Sequence, residues 1–373
     1  MSTMTQNRHL EIKRAGFHEL FFDLIFVYAI QKIAHVILHT HHGTISFELF
    51  FKYVMMSLIL WILWSHQTFF TNRFGDAVTK DVIFIMINMF ILIFLSNSLY
   101  PNFEKTFKPF FFCVALMYLS IGVQYLLHTS RKLSYADKRT CQSFAIVALT
   151  VSILSFLALL LPSSVHYIPA FLGVFIAGTG LIPFRKYLEQ SPVNMMHLVE
   201  RFSLLTIIIF GELIVGLASI FSITDFSYIY IFQFLILVCM FGTYWLITEN
   251  YINHKTRTIG FRLVYTHLLI NIALGTLNAA IVFSNNVEVH SFFEINLMHL
   301  SVLLFFIGIW LNAPYFHEKF NYVKHTIYAL VMLLISYLVS IVFITNKHLM
   351  IISMAVAVAM IMLMYYKNNK YAK

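Results

Sequence analysis

Residues 17–38 read FHELFFDLIFVYAIQKIAHVIL, an apolar run long enough to cross a membrane that nevertheless contains several polar side chains. These are Glu19, Asp23, Gln31, Lys32 and His35. An ionised side chain near the centre of a spanning helix costs about 2.5–3.5 kcal/mol on insertion scales. We therefore expect the polar side chains of this helix to face other helices, water or a permeant species.

A second segment repeats this pattern. Residues 198–221 read LVERFSLLTIIIFGELIVGLASIF and align without gaps, so that Glu19 matches Glu200 and Gln31 matches Glu212. Each copy begins with an acid and has a carboxylate or an amide 12 positions later. We therefore expect the chain to contain two related halves, each of which begins with one of these helices.

A basic residue in the second copy predicts a contact between the two helices. Arg201 aligns with Leu20, next to Glu19. If the two helices pack around a pseudo-twofold axis, Arg201 approaches Glu19 or Asp23, because each of these charges would be costly to bury alone. We expect this charge contact near the membrane surface.

Glu212 is the acid whose position is most difficult to explain structurally. It lies about 18 Å along the helix from Glu200, near the middle of a bilayer. There it must be protonated, paired or hydrated. Gln31 is its repeat mate, and His267 and Asn271, which share a face of a later helix, are the other candidate companions.

The composition indicates a polytopic membrane protein. Hydrophobic residues make up 60% of the chain, charged residues 11%, and the mean hydropathy is +0.80. The apolar runs are continuous rather than alternating, which predicts an all-α fold of about twelve transmembrane helices. The predicted spans are 17–38, 46–70, 82–100, 109–128, 141–161, 165–183, 198–221, 227–248, 261–283, 293–312, 325–345 and 348–366.

These spans form two predicted six-helix repeats. The first covers residues 1–183, a cytoplasmic linker with two prolines covers 184–197, and the second covers 198–373. Because the motif helices are the first and seventh predicted spans, an even number of crossings apart, both helices enter the membrane from the same side. The repeats are therefore expected to be parallel.

The basic residues predict the orientation and the lipid partner. Lys and Arg accumulate in the loops on one side, which places both termini in the cytoplasm and the protein in an inner membrane. The formal charge of +9 is explained by a positive inner face on anionic lipid, so no nucleic-acid partner is predicted.

A histidine-rich loop follows the first span. His35 and His39 are one helical turn apart, and His41 and His42 come directly after them. Imidazoles with this spacing are weak candidates for a metal or pH-sensing site. Histidines at the membrane interface are the simpler interpretation.

Later spans contain tryptophans and isolated amides. An aromatic belt explains Trp61 and Trp64 at least as well as a ligand site does. Gln67, Asn88 and Gln124 lie in the second, third and fourth spans. Single amides at such depths favour hydrogen bonds between helices over transport ligands.

The motifs ELFFDLIFVYAI, ERFSLLTIIIFGELIVG and FFTNRFGD resemble the bacterial low temperature requirement A family over nearly the whole chain. This resemblance implies a polytopic inner-membrane protein of two related halves. The positions that match the family's polar residues are Glu19, Asp23, Glu200, Arg201 and Glu212. The histidine-rich loop departs from the family pattern.

Two classes of function follow from these observations. The paired polar residues favour permeation of an ion or small solute along a path lined by the first and seventh spans. The alternative is a membrane-embedded sensor, stress-adaptation or scaffold protein. An enzyme is less favoured, because the sequence has no nucleophilic serine motif, HExxH or phosphate loop. No cofactor is predicted.

Overall fold

The structure is a computed structural model that describes residues 13–39, 42–75, 79–99, 103–284, 286 and 288–368. Its elements are helical, which confirms the predicted all-α fold. The α-helices are α1 (Phe17–Val36), α2 (Phe47–Phe74), α3 (Thr79–Asn97), α4 (Phe103–His128), α5 (Tyr135–Leu160), α6 (Tyr167–Thr179), α7 (Arg185–Gln190), α8 (Met195–Ile220), α9 (Ile229–Asn250), α10 (Phe261–Phe283), α11 (Ser291–Trp310), α12 (Tyr322–Val342) and α13 (Lys347–Asn368). Short 3₁₀ turns occur at Ile182–Phe184 and Ala313–Tyr315.

Eleven helical stretches in the described ranges are long and apolar enough to cross a membrane. They include α2–α5, the Tyr167–Gln190 stretch that joins α6 to α7, and α8–α13. The 20-residue α1 is set apart by its charged residues Glu19, Asp23 and Lys32. Many large apolar side chains of these helices are exposed, as lipid contact requires.

The sixth predicted span lies in the helical stretch Tyr167–Gln190, which contains a break in its α-helix. α6 ends at Thr179, and a 3₁₀ turn begins at Ile182. Pro183 lies in this turn, and its missing N–H prevents a regular α-helical continuation. The segment predicted as a linker contains α7, in which Arg185 Nε lies 2.7 Å from Glu189 Oε1.

The chain divides into two compact units, which differ from the predicted repeats. The first consists of Met1–Ile33, Met55–Arg201 and Lys255–Val264. The second consists of Ala34–Val54, Phe202–His254 and Tyr265–Lys373. Compactness does not test internal symmetry, so the division into two six-helix repeats stays a prediction.

Aromatic side chains fill the core of the first unit. The ring of Tyr125 stacks on Phe144 with centroids 4.8 Å apart, and Phe70 meets Tyr125 edge to face at 5.0 Å. The Tyr125 hydroxyl donates to the carbonyl of His66 at 3.3 Å. These contacts hold α2, α4 and α5 together.

The second unit has its own aromatic core. Tyr251 packs on Phe320 with ring centroids 4.2 Å apart, and its hydroxyl donates to the carbonyl of Tyr365 at 2.7 Å. Nearby, Ile252 and Phe316 form an isolated antiparallel β-bridge. This cluster joins the end of α9 to α13 and to the segment before α12.

Gly260 allows the turn before α10 to pack closely in the first unit. Its φ is +88°, and an added Cβ would lie 2.8 Å from Leu198 Cδ2 and 2.9 Å from Phe69 Cε1. The left-handed backbone and the close packing both favour glycine here.

We predict that Gly260→Ala lowers the free energy of unfolding by about 1–3 kcal/mol, because it adds backbone strain and a steric overlap. Thermal unfolding of the purified protein in detergent measures this loss. Gly211→Ala is the matched control, since a Cβ there meets nothing within 4 Å. Equal melting temperatures for the two variants would contradict the prediction.

Candidate functional site

Two pairs of polar residues from α1 and α8 meet inside the first unit. Glu19 and Asp23 are four residues apart on α1, and His197 and Arg201 are four residues apart on α8. This spacing puts each pair on one face of its helix. The four side chains are buried, with exposed fractions of 4% for Glu19, 0% for Asp23 and His197, and 1% for Arg201.

The Arg201 guanidinium binds both carboxylates. Its Nη2 donates to Asp23 Oδ1 at 2.6 Å, and its Nε donates to Asp23 Oδ2 at 3.1 Å. Its Nη1 donates to Glu19 Oε1 at 2.7 Å. The bidentate pair with Asp23 is the stronger geometry, because two parallel charge-assisted hydrogen bonds fix the guanidinium plane. The predicted contact of Arg201 is confirmed and involves both acids.

Trp64 on α2 completes the surroundings of Asp23. Its indole Nε1 donates to Asp23 Oδ1 at 2.7 Å, and its ring centroid lies 5.6 Å from the Arg201 guanidinium carbon. The indole therefore binds the anion through its N–H and contacts the cation through its ring. Trp64 is completely buried, so its role here differs from the aromatic belt considered from the sequence.

Asn72 and Asn194 determine the tautomer of His197. Asn72 Oδ1 accepts from the backbone N–H of Asn194, and Asn72 Nδ2 donates to the Asn194 carbonyl, both at 2.9 Å. This pairing fixes the amide orientation, so the Nδ2 group 3.0 Å from His197 Nδ1 must donate to it. His197 is therefore neutral, with its proton on Nε2, 3.2 Å from Glu19 Oε2.

Backbone groups at helix ends add to the site. The N–H of Gly16, at the start of α1, donates to Glu19 Oε2 at 2.8 Å. This bond satisfies one of the free N–H groups of the helix N-terminus. Lys13 binds the carbonyls of Thr71 and Gly75 at 2.5 Å and 2.8 Å, which satisfies the last turn of α2. Both contacts fix helix ends beside the site.

The cluster of Glu19, Asp23, His197 and Arg201 has an excess negative charge. Both carboxylates accept hydrogen bonds on each of their oxygens, as ionised acids do. The positive charge of the Arg201 guanidinium balances the negative charge of one carboxylate. The neutral His197 imidazole balances no charge. Chemically, the cluster can take up one positive charge.

Other predicted polar residues lie elsewhere. Gln31 is in α1 and half-buried, 12 residues after Glu19. Glu200 in α8 accepts from the N–H of Ala15 at 3.2 Å. Glu212, further along α8, is half-buried and belongs to the second unit.

His267 and Asn271 are buried in α10 and also belong to the second unit. His267 Nε2 lies 3.0 Å from the Tyr244 hydroxyl, and its ring packs against Phe202 with centroids 4.9 Å apart. Their predicted roles in permeation stay predictions.

The histidine-rich loop gives no metal centre in the part of the chain that the structure describes. No group of three His, Cys, Asp or Glu side chains comes together there. His35 is exposed near the end of α1, and His39 and His42 are exposed after it. His41 lies outside the described residues, so a metal site at this loop stays a prediction.

The sequence reasoning missed His197, Trp64, Asn72 and Asn194 as partners of the charged residues. One signal was available, because His197 precedes Arg201 by four residues as Glu19 precedes Asp23. His197 had been placed at the end of a linker, which concealed this helical spacing. No comparable spacing connects Trp64 to α1.

We predict that Arg201→Gln lowers the free energy of unfolding by about 3–5 kcal/mol, because it leaves two buried carboxylates without a cation. Arg201→Lys should cost less, since it keeps the charge and loses the bidentate geometry. Unfolding in detergent measures both. Arg185→Gln, which removes an exposed ion pair, is the control and should change stability by about 0.5 kcal/mol or less. Equal effects of Arg201→Gln and Arg185→Gln would refute the stabilising role.

A family model matches most of the chain. The model of the family described as bacterial low temperature requirement A protein (LtrA) matches residues 14–363. No curated protein matches the sequence. The match covers α1–α12 and most of α13, and it includes every residue of the cluster. The chain is therefore a multi-pass membrane protein that belongs to the bacterial low temperature requirement A family.

Proposed function

We propose that this protein is a permeation protein that moves an ion or small solute across the membrane, and that the buried cluster couples this movement to a proton. The path is lined by α1 and α8, which correspond to the first and seventh predicted spans. The excess negative charge of the cluster carries the proposal. Two carboxylates face one guanidinium and one neutral imidazole in an enclosed position.

The energetic cost of this arrangement supports a functional role. A buried ion pair contributes little net stability, because desolvation of both charges opposes their attraction. Among the described residues, both carboxylates form their Arg or Lys ion pairs with Arg201 alone, so the second carboxylate adds desolvation without a second such ion pair. In membrane helices such residues are typical of proton relays and ion pathways.

The proton is the cation that fits this site best. The four side chains are at most 4% exposed, and each carboxylate oxygen is already bound by an N–H donor. A hydrated metal ion would have to displace these donors. A proton needs only a lone pair, and His197 Nδ1 has one that accepts a hydrogen bond from Asn72.

Proton uptake on His197 would be coupled to the start of α8. A protonated Nδ1 becomes a donor and repels the Asn72 Nδ2 donor beside it. Asn72 must then turn its amide, which breaks both of its hydrogen bonds to the backbone of Asn194. Asn194 directly precedes α8, so protonation loosens the contact between this helix end and α2.

The orientation of the chain completes the proposal. The basic loops place both termini in the cytoplasm of a bacterial cell, with the protein in the inner membrane. α1 and α8 then begin at the cytoplasmic side, and the cluster lies in their first turns. It would exchange protons with the cytoplasm.

One observation favours a scaffold instead. Each carboxylate accepts three hydrogen bonds, so the cluster is also suited to hold α1, α2 and α8 in one fixed arrangement. Flux measurements separate the two functions. A protein that passes neither protons nor common cations in vesicles is a scaffold or a sensor.

We predict that His197→Gln keeps the fold and abolishes the pH dependence of flux. The Gln side chain retains one donor for Glu19 and one acceptor for Asn72, yet it takes up no proton. Purified protein in liposomes with an internal pH dye and a panel of K⁺ and Na⁺ gradients provides the measurement. His348→Gln, which alters an exposed histidine bonded to Tyr228, is the control. Unchanged pH dependence in His197→Gln would remove the cluster from the coupling mechanism.

We also predict that Glu212→Gln leaves expression and folding intact and abolishes flux, because a mid-span carboxyl that exchanges a proton or binds a cation cannot be replaced by an amide. The same liposomes, tested across pH, report the result. If Glu212 forms only a packing hydrogen bond, the amide will substitute for it with little loss. Full activity in this variant would exclude Glu212 from the path.

A further inference from the structure

We infer that three buried amides in the first unit, Gln67 of α2, Asn88 of α3 and Gln124 of α4, form a hydration site that binds water in the interior of the protein. Their exposed fractions are 1%, 0% and 2%. The site is separate from the charged cluster and does not depend on the proposed transport.

The first observation is that these amides are only partly hydrogen-bonded. Asn88 Nδ2 donates to Gln67 Oε1 at 3.0 Å. Within the described part of the chain, Gln67 Nε2, Asn88 Oδ1 and both polar atoms of Gln124 have no hydrogen-bond partner. Each buried polar group left unpaired costs about 1–3 kcal/mol. Four such atoms favour a polar ligand that supplies the missing hydrogen bonds.

The second observation is that Gln124 lies level with Asn88. α3 and α4 pack against each other, and Asp81 near the start of α3 lies 3.6 Å from Arg131, just after the end of α4. The two helices are therefore antiparallel. Asn88 lies seven residues after Asp81, and Gln124 lies seven residues before Arg131. Seven residues correspond to about two helical turns, so the two amides lie at similar distances from the ion pair.

α2 is at the same level. Tyr125, next to Gln124, donates its hydroxyl to the carbonyl of His66, next to Gln67. Gln67 itself is bonded to Asn88. Gln67 and Asn88 are thus in direct contact near the middle of α3, and we place Gln124 at a similar level on α4.

The chemistry of the unpaired atoms identifies the ligand. They comprise two amide N–H₂ donors and two carbonyl acceptors, without a charged group. The amide O and N atoms could be assigned the other way round in Gln124, or in Gln67 and Asn88 together. The number of unpaired donors and acceptors would then be the same. A bare cation would meet two donors, and an anion would meet two acceptors. Water, which donates and accepts equally and typically makes about three hydrogen bonds in such sites, fits all four atoms.

The test uses cysteine reactivity, because a thiol reacts as its thiolate and the thiolate needs water. Asn88→Cys and Leu92→Cys are made in the full-length chain and treated in detergent with methyl methanethiosulfonate, a small neutral reagent. Leu92 is the matched control, since it lies one turn further along α3 and is equally buried among apolar groups. Peptide mass spectrometry follows labelling at the introduced cysteine.

The expected result is labelling of Asn88→Cys about tenfold faster than Leu92→Cys, because only the former thiol borders water. Adding Gln67→Met and Gln124→Met should reduce the rate at Asn88→Cys to that of the control, since apolar side chains of similar size remove the partners of the water. Equal rates for the two cysteines overturn the inference. A fast rate that the added methionines do not change overturns it too.

A measurement on the unaltered chain keeps the inference testable if the variants do not fold. A density map that resolves ordered solvent should show a peak within hydrogen-bonding distance of the Gln124 amide. Direct apolar packing against both atoms of that amide would exclude the hydration site.

Discussion

The guanidinium of Arg201 is the group on which the arrangement of the first unit depends. It binds Asp23 through two hydrogen bonds and Glu19 through a third, so α8 is fixed to two successive turns of α1. Trp64 connects Asp23 to α2. The consecutive helices α1 and α2 and the distant α8 are thereby held through one cation. Replacing such a group by a smaller or neutral one affects every helix it joins, because buried charges and their partners act as a unit.

The two polar sites of this unit have opposite properties. The charged cluster has hydrogen bonds on every carboxylate oxygen and an unbalanced charge. The amide site has no charge, and several of its polar atoms have no hydrogen-bond partner among the residues that the structure describes. We propose that the first takes up a proton and that the second binds water. Membrane helices tolerate both, since each polar group is turned away from lipid.

The sequence was sufficient for the fold and for part of the site. Continuous apolar runs predicted the helices, and the alignment of residues 17–38 with 198–221 predicted that Arg201 approaches the acids of α1. The break between α6 and α7 was not predicted, because hydropathy continues through Gly180 and Ile182, while the backbone changes to a 3₁₀ turn near Pro183. The donors Trp64 and Asn72 were not identified, because their roles depend on which face of α2 packs on which neighbour. Periodicity within a uniformly apolar helix does not contain that information.

The separation of the paired charges along the chain has a consequence for biogenesis. Asp23 is synthesised 178 residues before Arg201. At about 5–20 residues per second, the ribosome needs roughly 10 to 40 s to add that length. During this interval α1 leaves the translocon with two acids and no guanidinium. We expect α1 to insert stably only after α8 has been synthesised, because its two acids have no guanidinium partner until then.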